Sequence, residues 1–240
     1  MAHQTKVPPL YVQIRADLMK AIDSGLLNPG DRAPSERELT QRYGVSRMTA
    51  RHALTTLEAE GYLTRVPGSG TFVSQPKFEQ KLNAVTSFTE EAQLHGMVPD
   101  TRILATAIVE ADYRMAERMQ LEPGTPIIQF QRLRMANGIP MALETSNLPL
   151  GRFPGLEGVN LASDSLYRIL RERYNFKPAH ATQSIEVMVA GTFEAGLLSI
   201  RSGAPLLLLE RFTYGLDNKL VEYVRSFYRG DRYRFFTELH

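Results

Sequence analysis

From Pro34 to Gly70 two short helix signatures stand close together and run straight into a glycine-tipped hairpin. Ser35 lies three residues before Glu38, the spacing at which a hydroxyl and a carboxylate cap each other's backbone N–H groups. That pair opens a helix that stops at Gly44. Ser46 can cap the next helix, which runs to about Glu60 and ends at Gly61. Two helices joined by the tight "YGVS" connection make a helix-turn-helix. The runs "YLTRV" and "TFVS" then flank the loop Pro67 to Gly70, a hairpin signal. A helix-turn-helix followed directly by a hairpin is a winged helix, and the small tip lets its backbone enter a narrow groove. Ahead of it, Leu10, Ile14, Leu18 and Ile22 recur every fourth residue between Pro8–Pro9 and Gly25, which predicts a first helix. "NPGD" (Asn28 to Asp31) predicts a turn.

On the helix after Ser46, Ala50, Ala53, Leu54 and Leu57 fall on one stripe. Arg47, Met48, Arg51, His52 and Thr55 fall outside it. The alanines allow close packing on the preceding helix, and the arginines are presented outward. From Arg32 to Arg51 the chain carries five arginines (32, 37, 42, 47, 51) against Glu36 and Glu38, the footprint of a surface that meets phosphates. A solvated basic face would show the same excess. The net charge of +2 over 240 residues adds little to the choice.

"SQPKFEQK" (Ser74 to Lys81) is polar and contains Pro76, which predicts a linker; the expected division is 1–75, a linker 76–82, and 83–240. Beyond it, "TRILATAIVEA", "PIIQFQRLRMA", "IPMALETSNL", "TQSIEVMVA", "PLLLLERFTYG" and "LVEYVRSFYRGDRYRFF" read as strands. Helical stretches at "SFTEEAQLHG", "DYRMAERMQL", "SDSLYRILRERY" and "TFEAGLLSI" lie among them. Asn137-Gly138 and the stretch Leu216 to Lys219 predict hairpin turns. Adjacent hairpins imply an α+β fold with a mainly antiparallel sheet rather than a doubly wound one.

The absence of cysteine rules out disulfides, thiolate catalysis and Cys-ligated metal sites. The five histidines (His3, His52, His95, His180, His240) have no metal-ligand spacing, and the chain has no Walker A, G-x-G-x-x-G or G-x-S-x-G motif. The expectation is therefore a non-enzyme with no cofactor and no metal. The start "MAHQTKVPPLY" has no signal-peptide core, and the longest aliphatic run is Leu206 to Leu209, too short for a bilayer. A cytoplasmic protein with no membrane partner is expected.

The stretch from Pro9 to Val73 resembles the DNA-binding domain of the GntR family of bacterial transcription regulators. The remainder is similar to the effector-binding (UTRA) domain of the HutC subfamily, whose fold resembles chorismate lyase. "RLRMANGIPMALE" and "VEYVRSFYRGDRYRF" carry that likeness, and they look most like regulators of N-acetylglucosamine use. The resemblance implies a repressor binding a palindromic double-stranded operator as a homodimer through its larger C-terminal domain. It places the helix after Ser46 in the major groove and the wing tip in the minor groove. Ser35, Arg37, Ser46, Arg47, Thr49, Arg51, Gly68, Ser69 and Gly70 would then meet DNA, with arginine suited to guanine O6 and N7. For His52 a flank contact and a packing role both stay open.

The resemblance also implies a pocket for a small anionic metabolite, such as glucosamine 6-phosphate or N-acetylglucosamine 6-phosphate. Arg132 and Arg134 alternate along one strand and so share a face. Ser87 and Glu90 form a second capping box, leaving N–H groups near Phe88 and Thr89, and Ser165 and Tyr167 begin another helix. The phosphate is expected on Thr89, Ser165, Tyr167 and Arg132. Arg134, Glu144 and Glu222 are expected to read the sugar, Tyr228 to stack or donate, and Phe88 to serve the core. The competing reading makes Arg132, Arg134, Glu144 and Glu222 cross-strand ion pairs on a solvated face. A carboxylate effector, a chorismate-lyase-like enzyme carrying a winged helix, and a protein-binding winged helix are the remaining alternatives.

Overall fold

A computed structural model of the chain describes residues 8–66, 68–75, 77–82, 84–162 and 164–238. Pro67 of the expected wing tip, Pro76 at the start of the expected linker, Asn83 at the start of the expected second domain, and His3 and His240 lie outside the described residues. The chain forms two compact units, 1–76 and 77–240.

In the first unit, helices α1 (Leu10–Asp23), α2 (Glu36–Tyr43) and α3 (Arg47–Ala59) precede the antiparallel pair β1 (Leu63–Val66) and β2 (Gly70–Val73). Both expected caps form. The Ser35 hydroxyl accepts from the Glu38 N–H at 3.2 Å while the Glu38 carboxylate accepts from the Ser35 N–H at 2.7 Å. The Ser46 hydroxyl accepts from the Thr49 N–H at 3.1 Å. Between the helices Gly44 takes φ +63°, a left-handed turn that a side chain would strain. Ala50, Ala53, Leu54 and Leu57 are buried and meet Ile14 and Leu18 of α1 and Leu39 of α2. Burial of each leucine contributes about 1.5–3 kcal/mol, and the alanines let the helix axes approach. An Arg32–Phe72 bridge ties the segment before α2 to the wing.

The second unit is built on a six-stranded antiparallel sheet, in the order β4-β5-β6-β9-β8-β7. Its strands are β4 (Pro99–Glu110), β5 (Pro126–Ala136), β6 (Ile139–Pro149), β7 (His180–Val189), β8 (Pro205–Tyr214) and β9 (Leu220–Arg229). The β5–β6 hairpin turns on Asn137 and Gly138, both at positive φ as a tight primed turn requires. Around the sheet pack α4 (Phe88–Leu94), α5 (Tyr113–Met119), α6 (Leu166–Tyr174) and α7 (Thr192–Leu198).

The structure corrects two expectations. Phe78–Lys81, read as linker, is a strand, β3. The final strand-like run breaks at Gly230, and its end, β10 (Tyr233–Phe236), leaves the main sheet to pair with β3 in parallel. Phe78 and Tyr233 explain both changes: stacked at 4.6 Å between ring centroids, they bury an aromatic contact that linker composition conceals.

Candidate functional site

Register decides what the sheet presents. Arg132 on β5 stands opposite Glu144 on β6, which stands opposite Ser226 on β9, which stands opposite Leu209 on β8. Side chains alternate, so the same face carries Arg134, Ser146, Tyr228, Val224, Glu222 and Arg211. The N-terminal ends of α4 and α6 and the strand β3 cover this face, enclosing a narrow recess of about 40 Å³. Of the nine expected pocket residues, Phe88, Arg132, Arg134, Glu144, Ser165, Tyr167, Glu222 and Tyr228 line it. Thr89 stands behind them, its hydroxyl accepting from Arg134 Nη2 at 2.8 Å. Phe88 serves both ends: it is a core residue, and its ring lies 4.9 Å beneath the Arg134 guanidinium.

The two arginines of β5 differ. Arg132 Nη2 donates to Glu144 Oε1 and, at 2.9 Å, to the Ser146 hydroxyl. This is the cross-strand ion pair of the competing reading, but at 3% and 9% exposure it is buried rather than solvated. Arg134 is 3% exposed and has no carboxylate partner among the described residues; its Nε, like that of Arg132, meets no hydrogen-bond acceptor. Burial, with Arg132 alongside, pushes it down to about 10, so it stays charged at neutral pH.

Arg211, unmarked in the sequence reading, adds a third guanidinium. It donates to Gln183 Oε1 at 2.7 Å and to the Thr86 carbonyl at 3.1 Å, both neutral acceptors. Gln80 is the other surprise, brought in by β3 and bonded to the Tyr233 hydroxyl at 2.7 Å.

The carboxylates diverge as well. Burial alone would raise Glu144, but Arg132, Arg134 and Arg211 outweigh it and hold the carboxyl below its usual range. Burial pushes Glu222 up, against the pull of the Tyr167 hydroxyl, which donates to it at 2.8 Å. Burial and the Glu222 carboxylate raise Tyr167, and burial and Glu144 push Tyr228 up to about 12; both phenols stay neutral donors. Three guanidinium groups thus face two carboxyl groups, one held below and one pushed above its usual range. The surplus is positive. Ser165 begins α6 without a side-chain cap on that helix, so its first-turn N–H groups remain available to an acceptor.

On the first unit, Arg37, Arg47 and Arg51 are exposed, and a groove between α2, α3 and the hairpin is lined by Ser35, Arg37, Arg47, Arg65, Gly68 and Gly70 among others. The Ser46 and Thr49 hydroxyls are 2.9 Å apart, and Ser35 and Ser46 serve as the helix caps of α2 and α3. Ser69 is exposed at the tip, flanked by Gly68 and Gly70 at φ +76° and +130°. At Gly70 a Cβ would stand 3.0 Å from Arg32 Nε. His52 stacks edge-on against Tyr11 at 4.4 Å, which favours its packing role.

Comparison with known proteins fits this division. The family model described as bacterial regulatory proteins, gntR family, matches residues 10–73, and the UTRA domain model matches residues 94–234. The HTH-type transcriptional repressor NagR of Bacillus subtilis is 42% identical over 95% of this chain and 93% of the relative. The mannosyl-D-glycerate transport/metabolism system repressor MngR of Escherichia coli is 30% identical over 95% and 94%. The crystal structure of PhnF from Mycobacterium smegmatis superposes with a TM-score of 0.68 at 33% identity, covering 95% of this chain and 99% of that one. With a winged helix bearing outward arginines and a UTRA domain enclosing a cationic recess, the chain belongs to the gntR family of bacterial regulatory proteins, as a HutC-type DNA-binding transcriptional repressor.

Proposed function

We propose that this repressor binds a palindromic operator as a homodimer in the cytoplasm and is released from it by a phosphorylated amino sugar. The observation that carries the reading is Arg134: a buried, charged guanidinium with no carboxylate partner among the described residues, lining one recess with Arg211 and the uncapped start of α6. A compact dianion supplies the missing acceptors, and its charge is favoured where water is excluded. Phosphate belongs on Arg134, Ser165 and Tyr167, with Arg132 held to Glu144 as a fixed wall. Glu144, Glu222 and Tyr228 offer acceptors and a donor to sugar hydroxyl and amino groups. This exchanges the roles first expected of the two β5 arginines, because Arg132 already has its anion. The name of MngR, a repressor of a mannosyl-D-glycerate system, supports an effector that joins a sugar to an anionic group.

At the other unit, Arg37, Arg47 and Arg51 are assigned to base edges and phosphates. Ser35, Ser46, Thr49, Gly68, Ser69 and Gly70 bring backbone and hydroxyl groups to the sugar-phosphate chain. One winged helix reads few base pairs, so two half-sites are needed for specificity. The switch needs a ligand that binds one state better than the other. Closing the α4 and α6 starts on one phosphate supplies that difference, and α4 follows in sequence from the winged helix through β3. Catalysis has no part in this reading.

Calorimetry with glucosamine 6-phosphate, N-acetylglucosamine 6-phosphate and unphosphorylated glucosamine tests it, paired with operator footprinting. The phosphorylated sugars are expected to bind and to release DNA. Equal binding with and without phosphate eliminates the reading in favour of a carboxylate or another effector.

A further inference from the structure

Three arginines of the winged helix converge on one acid. Glu36 is the first residue of α2, where unpaired N–H groups favour a negative charge. Its Oε2 accepts from Arg47 Nε at 2.9 Å, while its Oε1 lies 3.5 Å from Arg51 Nε and 4.0 Å from Arg65 Nη2. The Glu36 side chain is 19% exposed, against 82% for Arg47 and 56% for Arg51. The acid is the fixed point, and the long arginines are tied to it.

Stability does not account for this arrangement, because ion pairs with such exposed partners contribute little. Affinity for phosphate does not account for it either, since a carboxylate amid the arginines repels a polyanion. The atoms used offer the reason. Arg47 is hydrogen-bonded through Nε, the donor nearest the main chain, and Nε is also the atom by which Arg51 approaches the acid, at 3.5 Å, so that Glu36 leaves their terminal Nη groups to other partners. Those are the groups that can pair end-on with guanine O6 and N7. An untethered arginine satisfies itself on any phosphate it meets. One held at Nε does so only by leaving Glu36 with less compensation.

We propose that Glu36 is a positioning residue that sets sequence specificity: it aims Arg47 and Arg51 at base edges and disfavours binding to phosphate alone. This rests on the reading that α3 faces the operator. The test uses the full chain and two probes, a duplex recovered by the wild type from a random-sequence pool and a shuffled duplex of equal length. Anisotropy titrations at several salt concentrations give the ratio of the two affinities. Glu36→Gln keeps the shape and one acceptor oxygen but loses the charge. It is expected to bind the shuffled duplex several-fold tighter and to lose at least tenfold in the ratio, at unchanged Tm. Glu36→Asp is expected to restore most of that ratio. In an Arg47→Ala, Arg51→Ala background, Glu36→Gln is expected to change the ratio little. An unchanged ratio in Glu36→Gln overturns the proposal. So does a parallel loss on both duplexes with a lowered Tm, which would mark a structural role. A wild type that recovers no sequence overturns the α3 assignment itself.

Discussion

Arg47 and Arg51 on α3, and Arg132 and Arg134 on β5, are each two arginines sharing one face of one element. The first two are 82% and 56% exposed in their side chains; the second two are each 3% exposed as residues. Helical spacing of four residues puts the α3 arginines into water, leaning on a single acid. Strand spacing of two puts the β5 arginines beneath α4 and α6, where, among the described residues, one finds a carboxylate and the other does not. Exposed guanidinium groups are screened by salt and can adjust to a long polyanion. Buried ones have already lost their water, so a small anion of the right shape gains the full benefit of a dry site. On the proposed function, the same residue type serves two recognition tasks, separated by solvent exposure.

The comparison breaks most visibly at Arg132. Arg132→Ala leaves Glu144 buried without its counter-ion and is expected to cost about 3–5 kcal/mol of stability, read from denaturant unfolding. An unfolding midpoint like that of the wild type would mean the pair is solvated after all. Arg134→Ala is expected to do the reverse, sparing stability while weakening the sugar phosphate by about 2–5 kcal/mol in calorimetry. Retained phosphate-dependent affinity would remove Arg134 from the ligand site.

Arg47→Ala and Arg51→Ala are each expected to weaken operator binding by about 1–3 kcal/mol. Effector binding should be unaffected, because the pocket lies wholly in the other unit. Wild-type operator affinity in either variant would relocate the recognition face.

The smallest effect separates the two pocket carboxylates. Glu222 is raised in the folded state, so it favours folding at low pH, and that stability is lost as pH rises through and above the ordinary carboxylate range. Glu144 is lowered, so its contribution is present above that range and is lost as pH falls through its folded value. Glu222→Gln should therefore flatten the decline in Tm on the high-pH side and leave the acid side unchanged. A Tm profile parallel to the wild type across pH 4–8 would contradict this.

What the sequence disclosed follows from local rules. Both capping boxes, the α3 stripe and the Asn137-Gly138 turn depend on residues within four positions of each other. The parity of Arg132 and Arg134 needs only one strand. Arg211 escaped because "PLLLLERFTYG" gives no face until β8 is registered against β9, and that register shifts at Thr213/Tyr214. Gln80 escaped because β3 looks like linker until β10 returns to pair with it. The Glu36 convergence escaped for a third reason: Arg47, Arg51 and Arg65 reach it from two other elements, so spacing along the chain carries no trace of it.

The β3–β10 pairing bears on the order in which the protein comes into being. The bonds Lys77 Nζ to the Gly230 carbonyl and Tyr233 hydroxyl to Gln80 each join residues 153 apart, whereas the core cluster of the winged helix is drawn from Tyr11 to Val73. During synthesis the N-terminal unit can fold as soon as it leaves the ribosome. The wall that Gln80 provides has no partner strand until β10 has been translated. The winged helix can therefore be complete well before the recess of the second unit is closed, and a chain cut short ahead of Tyr233 would lack the β3–β10 pairing that holds Gln80 in that recess.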